Sequence, residues 1–264
     1  MPLDLIIQHG LLGGPRNWSS ITRAIGPLFG EIVSPWLRNH GEGLRSPNMS
    51  LSDLSSDLSS LLSSRTEPFI LLGSSYGGST IMRHLITEQE GNLSPYLRGA
   101  FIVDVSPNEF RPSTMPNLYE ELPAILSLPL NQEGYTMKQA MADLETAIPS
   151  VDQRGFLLST IDFSSRHPHP VWITDVEVIH KNLKKLDWDL PSDMVFQDRE
   201  GLDIGFVFGE NSPYYTDKQA QASIKRVFPA ASVEVIENAG HWVHVQQRQK
   251  FFEKLNEFCD KCDY

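Results

Sequence analysis

The sequence is poor in cysteine, in basic clusters and in long apolar runs, and each shortage removes a class of protein. Only Cys259 and Cys262 occur, both at the end of the chain, so no disulfide framework exists and a lone C-x-x-C lacks the second pair that zinc requires. Two reduced thiols suit a reducing compartment. The 22 Lys and Arg stand against 33 Asp and Glu, a formal charge of -11 with no basic run to reverse it locally. Polyphosphate partners are repelled rather than steered in, which argues against nucleic acid. No apolar stretch approaches the roughly 18 residues that a membrane span requires. The opening Met-Pro-Leu-Asp-Leu-Ile-Ile is apolar but too short for a secretory signal, and it lacks the basic flank. It reads as a buried strand.

What is present suffices for one large core: 264 residues, 40% hydrophobic. Short apolar runs at Leu3–Gln8, Glu31–Ser34, Phe69–Leu72, Ala100–Asp104, Ile204–Phe208 and Ser232–Ile236 read as strands. Several are continuously apolar, as in a parallel sheet covered on both faces. Helical patterns fall between them at Asn17–Leu28, Ser50–Ser64, Gly77–Glu88, Asp217–Phe228 and Gln247–Phe258. In Ser50–Ser64, Leu51, Leu54, Leu58, Leu61 and Leu62 share one face, Ser50 can cap, and Asp53 suits the first turn. Strand alternating with helix predicts an α/β fold with a doubly wound, mainly parallel sheet. Between Ser106 and Gln197 the alternation stops. That stretch holds prolines and helical patterns such as Met137–Ala147 and Ile173–Leu186, with no convincing strand. It reads as a helical cap (106–197) inserted into a core of residues 1–105 and 198–264, lying over the carboxyl edge where such sheets bind ligands.

A few separated segments carry chemistry. Gly73-Ser74-Ser75-Tyr76-Gly77 is G-x-S-x-G with a strand before it and a helix after, the context that exposes the central serine on a strained turn. Ser75 is the candidate nucleophile, and the N–H of Tyr76 points with the helix N-terminus toward developing negative charge. His9-Gly10-Leu11-Leu12-Gly13-Gly14 follows the first strand, and its Leu11 N–H is the candidate second oxyanion donor. A phosphate loop there lacks both G-x-G-x-x-G and Gly-Lys-Ser/Thr. The base must be a late histidine, and of eight histidines His241, after the last strand and before the last helix, fits. His244 reads as a packing or surface residue, and His40 as ordering the loop after the second strand. His167 and His169 flank a proline without further ligands, so no metal and no cofactor enter the reading. The acid has two candidates. The loop after Ile204–Phe208 offers Glu210, with Ser212 where an Asp is expected; the end of Ala100–Asp104 offers Asp104, a carboxylate that needs a partner if buried. Asp104 is the preferred acid and Glu210 the runner-up; Ser212, Glu210 and His9 make up a second tier of site residues. Leu11, Leu12, Trp18, Tyr76 and Trp242 are expected to line an apolar pocket with cap side chains.

With those residues named, the chain resembles the α/β-hydrolase superfamily, and within it an esterase group that includes the mitochondrial abhydrolase-domain-containing protein eleven and small bacterial esterases. The resemblance rests on His9-Gly10-Leu11-Leu12-Gly13 with Trp18, on Leu37-Arg38-Asn39-His40-Gly41 with Ser46-Pro47, and on the elbow at Ser75. Val103-Asp104-Val105-Ser106-Pro107, Phe156-Leu157-Leu158 and Gly240-His241-Trp242-Val243-His244 extend it. It implies a serine hydrolase of small or medium-chain carboxylic esters or thioesters acting through an acyl-enzyme, and it supports Asp104 with Ser212. Two departures stand out: Ser74 and Tyr76 replace a more usual His and Met, and the N-terminal hairpin of relatives is missing. The expected setting is intracellular, cytoplasmic or, if a leading segment has been trimmed, mitochondrial. Transfer to an alcohol acceptor and a ligand receptor with a slow triad are the alternatives. Chemistry on an Asp nucleophile is excluded by Ser75.

Overall fold

A computed structural model describes residues 2–107, 118–183, 190 and 194–262. The chain opens with β1 (Asp4–Gln8), α1 (Pro15–Ile25), β2 (Ile32–Val33) and α2 (Leu51–Leu62), then β3 (Phe69–Ser74), α3 (Tyr76–Glu88) and β4 (Leu97–Val103). It next departs through α4 (Leu118–Leu126), α5 (Met137–Asp143), α6 (Val151–Leu158), a short pair β5 (Ile161–Asp162) and β6 (Val171–Trp172), and α7 (Val176–Leu183). It returns with β7 (Asp203–Gly209), α8 (Pro213–Thr216), α9 (Lys218–Val227), β8 (Ser232–Ile236), α10 (Val243–Gln246) and α11 (Arg248–Cys262).

Six strands form one parallel sheet in the order β2-β1-β3-β4-β7-β8. Alternate side chains sort onto its faces as the strand period requires. Leu5, Ile7, Ile70, Leu72, Phe101 and Val103 pack with α1 and α11, while Ile6, Phe69, Leu71, Ala100 and Ile102 pack with α2, α3 and α9. Two covered faces explain the continuous apolar runs. The chain reverses its direction of winding between β1 and β3, so the crevice at their carboxyl ends is the topological switch point.

Local chemistry sets the helix starts. Ser50 Oγ accepts from the Asp53 N–H at 3.1 Å and Asp53 Oδ2 accepts from the Ser50 N–H at 3.0 Å, a reciprocal cap that starts α2. Helix α1 begins at Pro15, earlier than the apolar spacing suggests, because proline is suited to a first turn.

The stretch from 106 to 197 adds no strand to the main sheet among the described residues. The Ile173–Leu186 pattern forms α7 only over Val176–Leu183, and residues 184–186 lie outside the described residues. The antiparallel β5–β6 pair departs from the expectation of no strand; two-residue strands are too short to leave an alternating signature. Leu118, Leu122, Ile125, Leu157, Leu158 and Ile179 form one apolar cluster with Leu11, Leu12, Leu37 and Tyr76, which seats the insertion on the loops at the switch point. Its last part rejoins the main core, since Leu190 and Phe196 pack with Phe206 and Phe228 beneath the sheet. No helix among the described residues is long and apolar enough to cross a membrane.

Candidate active site

Ser75 sits between β3 and α3 at φ 51° and ψ -117°, a conformation few non-glycine residues hold. Such strain costs on the order of 1–3 kcal/mol and persists only where the surroundings impose it. Here they do. A Cβ on Gly77 would stand 2.1 Å from the Gln8 carbonyl oxygen, and one on Gly73 2.7 Å from Gly77. The two glycines therefore let β3, α3 and the end of β1 close around the serine. The Ser75 N–H donates to Val103 O at 2.9 Å, which fixes the turn against the end of β4.

The residue after Val103 is Asp104, fully buried and also at positive φ, 52°. A buried carboxylate is costly unless both oxygens are well hydrogen-bonded. Oδ1 accepts the Gly209 N–H at 3.0 Å; Oδ2 accepts the Ser212 hydroxyl at 2.5 Å and His241 Nδ1–H at 2.7 Å. Its own N–H donates to Val207 O at 2.9 Å. Strands β4 and β7 and the loop after β8 thus converge on one carboxylate. With Nδ1 donating to Asp104, the His241 ring carries its acceptor at Nε2 in the neutral form. The ring of Tyr214 lies along the imidazole, centroids 5.2 Å apart at 28°. His241 retains partial exposure, its side chain 25% accessible.

Glu210 stands apart. It is exposed, and its Oε2 accepts the Asn238 N–H at 3.1 Å, bracing the loop that leads to His241. Of the two carboxylates considered, only Asp104 meets the imidazole.

The loop after β1 is a tight turn in which the Gly13 N–H donates to Gly10 O at 3.0 Å, with Leu12 at φ 62°. A Cβ on Gly10 would lie 3.6 Å from Ser75 Cβ, so the turn is against the elbow. Leu11 is buried, 5% exposed, and its N–H has no protein acceptor among the described residues. A buried amide without a partner is uncommon and invites one. Tyr76 supplies the first N–H of α3, and its hydroxyl donates to Met49 O at 2.9 Å.

His9 and His40 are both fully buried beside this turn. His9 Nε2 accepts the Leu37 N–H at 3.0 Å and its Nδ1–H donates to Gly10 O at 2.8 Å. His40 Nε2 accepts the Leu12 N–H at 2.9 Å and its Nδ1–H donates to Arg38 O at 2.7 Å. A ring nitrogen facing an N–H must be bare and one facing a carbonyl must carry hydrogen, so both rings are neutral with hydrogen on Nδ1. Burial pushes His9 down to about 3, aided by His40, and pushes His40 down to about 4. His40 thus orders its own loop after the second strand through Arg38 O, as the sequence suggests, and also ties down the loop after the first strand through the Leu12 N–H.

The pocket expectations divide. Leu11, Leu12 and Tyr76 belong to the apolar cluster shared with the insertion, and the Trp242 ring meets Phe156 of α6 with centroids 5.5 Å apart. Trp18 does not line that space. Its ring stacks on His244 at 4.4 Å and 8°, and it packs with Ile7 and Phe251 in the core, 1% exposed. Its spacing with Ile21 and Ile25 on α1 marks a core face. A cavity of ≈ 200 Å³ opens between Gly13, Gly14 and Trp36 on one side and Leu158, Ile161 and Phe163 on the other. Neither Ser75 nor His241 borders it.

Tyr214, the Gly209 N–H and Phe156 were beyond sequence reasoning. Each acts through a contact with residues distant in the chain, which neither the Phe156-Leu157-Leu158 stretch nor the loop after the Ile204–Phe208 strand announces.

A family model for the alpha/beta hydrolase family matches residues 5–254. The sn-1-specific diacylglycerol lipase ABHD11 of Xenopus tropicalis is 30% identical over 260 residues, covering 97% of this chain and 76% of its own length. Esterase YbfF of Escherichia coli is 25% identical, covering 92% of this chain and 87% of its own. Among solved structures, a marine microorganism esterase superposes with a TM-score of 0.84 at 27% identity, over 98% of this chain and 95% of that one.

Proposed function

The chain belongs to the alpha/beta hydrolase family and is a carboxylic ester hydrolase, and from that premise we propose that it works through an acyl-enzyme on Ser75. The observation that carries the reading is the His241 imidazole held at 2.7 Å by a fully buried Asp104 that accepts three hydrogen bonds, on the strand end that also anchors the Ser75 turn. Ser75 Oγ attacks the ester carbonyl while His241 Nε2 takes its proton, and Asp104 stabilises the imidazolium that forms. Leu11 and Tyr76 N–H groups hold the oxyanion; fixed dipoles in a dry site cost no reorganisation as charge develops. The imidazolium returns the proton to the departing alcohol or thiol. Water, activated by the same base, then attacks the acyl-enzyme and releases the acid.

Substrates are uncharged esters of small or medium acyl chains. Leu11, Leu12 and Tyr76 pack with the insertion in an apolar cluster, Trp242 meets Phe156, and a formal charge of -11 disfavours anions. The Xenopus relative is named for diacylglycerol, an uncharged ester of the same chemical class. Water is the acceptor in this reading; added ethanol, with ethyl ester measured among the products, detects transfer to an alcohol.

A series of p-nitrophenyl esters from acetate to octanoate, with a fluorophosphonate probe mapped by peptide mass, tests the reading. Sustained turnover and labelling of Ser75 are expected. Turnover slower than about one per minute, far under the usual enzyme range, or an adduct elsewhere, overturns it.

A further inference from the structure

We propose that His40 is a positioning residue for this reaction: its imidazole holds the loop after β1 in the shape that keeps the Leu11 amide available to the oxyanion. The proposal rests on the acyl-transfer reading and concerns a residue that touches no reacting atom.

The loop is under strain where His40 grips it. Leu12 sits at φ 62° in the turn closed by Gly13 N–H to Gly10 O. Leucine favours the right-handed region, and rotating the peptide between Leu11 and Leu12 would return it there. That rotation swings the Leu12 N–H off His40 Nε2, its acceptor at 2.9 Å, and would leave two buried polar atoms unpaired. The imidazole therefore sets which of two turn shapes is populated. Leu11 lies within the turn, and its own N–H is left without a protein acceptor. A donor held in place by its neighbour's hydrogen bond is a preorganised donor.

His40 is itself fixed. Its Nδ1–H donates to Arg38 O, and the Arg38 guanidinium meets both Asp57 oxygens at 2.8 Å, anchoring the loop to α2. On the far side Asn39 O accepts the Asp175 N–H at 2.8 Å, and Arg45 bridges Asn39 O and Ile173 O, anchoring the loop to the insertion. The arrangement is reciprocal. His9 accepts the Leu37 N–H across the same gap, the rings meet edge to face at 5.0 Å, and each histidine spans 28 residues to its partner amide. Two loops that leave adjacent parallel strands thus exchange one imidazole each.

Steady-state kinetics on p-nitrophenyl butyrate separate positioning from mere packing. His40→Phe cannot accept the Leu12 N–H and is expected to lower kcat about 10²-fold, the usual loss of one oxyanion donor, with KM within about twofold. Affinity for a phenylboronic acid, a tetrahedral adduct at the nucleophile, should fall in proportion. His40→Gln, whose Oε1 can accept that N–H, should recover most of kcat. Unchanged kcat per folded molecule in His40→Phe, or a glutamine variant as slow as the phenylalanine one, overturns the proposal. If His40→Phe does not fold, ¹⁵N NMR of the unaltered protein decides: a bare Nε2 and a protonated Nδ1 on His40 are expected, and the other tautomer or an imidazolium at pH 7 contradicts them. Unaltered protein without ester turnover removes the functional reading and the proposal together. Active protein with an unaffected variant removes the proposal alone.

Discussion

Two pairs of polar side chains sit at the carboxyl edge of the same sheet and do opposite work. On one side of Ser75, His9 and His40 are wholly buried, neutral, and accept backbone N–H groups. On the other, His241 keeps partial access to solvent and faces a carboxylate. Identical imidazoles are a fixed post in one place and, in the proposed reaction, a proton carrier in the other. What differs is the partner: an amide needs only an accepting nitrogen, whereas a buried carboxylate stabilises a ring that gains charge. Burial without a counter-charge forbids the cation, and with one it makes the cation useful.

The largest effects break the carboxylate side. Ser75→Ala or His241→Ala is expected to lower kcat on the order of 10⁶-fold, leaving the residual rate of the oxyanion donors, as read by kcat on p-nitrophenyl butyrate. Asp104→Asn should cost about 10⁴-fold by favouring the wrong imidazole tautomer. Glu210→Gln should change kcat less than about threefold, since the exposed side chain only braces Asn238. Equal losses from the two acid variants would overturn the assignment of Asp104. Removing the hydroxyl in Ser212→Ala takes one of three donors from that carboxylate, worth about 1.5–3 kcal/mol for a charged acceptor. Urea unfolding of this variant should show a loss of that size, and no loss would place the hydroxyl outside the network.

The buried side shows itself in stability instead. The folded pKa values of His9 at about 3, and of His40, His84 and His244 at about 4, lie below the ordinary 6.5, all four chiefly through burial. Between about pH 6.5 and 4 the unfolded chain binds protons that the folded chain refuses. Stability from these groups is therefore complete above about 6.5 and lost as pH falls toward 4. Each contributes up to about 1.4 kcal/mol per pH unit. Chemical unfolding across that window should show the slope, and His40→Gln should reduce it by about one proton. An unchanged slope would mean that His40 is protonated in the folded state.

The sheet was legible because its strands are apolar on both faces, and the strained turn at Ser75 because a strand precedes it and a helix follows; His241 was picked from its place between the last strand and the last helix. The acid was not settled locally. Asp104 and Glu210 both end strands, and only long-range packing separates a carboxylate holding three donors from one left in solvent. Trp18 was expected in an apolar pocket, although its spacing with Ile21 and Ile25 already marked a core face. The tie from His40 to Leu12 spans 28 residues, with nothing in either segment to announce it. Likewise β5 and β6 are too short to show a period. Contacts between loops were what the sequence concealed.

The central claim is that the His241–Asp104 pair serves a covalent step at Ser75. Rapid acid quenching of the protein with p-nitrophenyl acetate in the first turnovers, followed by peptide mass mapping, tests it most directly. An acetyl group on the peptide carrying Ser75, present at early times and absent in Ser75→Ala, is the expected result. Burst-sized release of p-nitrophenol with no acetyl-serine there, or with the group on another residue, would contradict it.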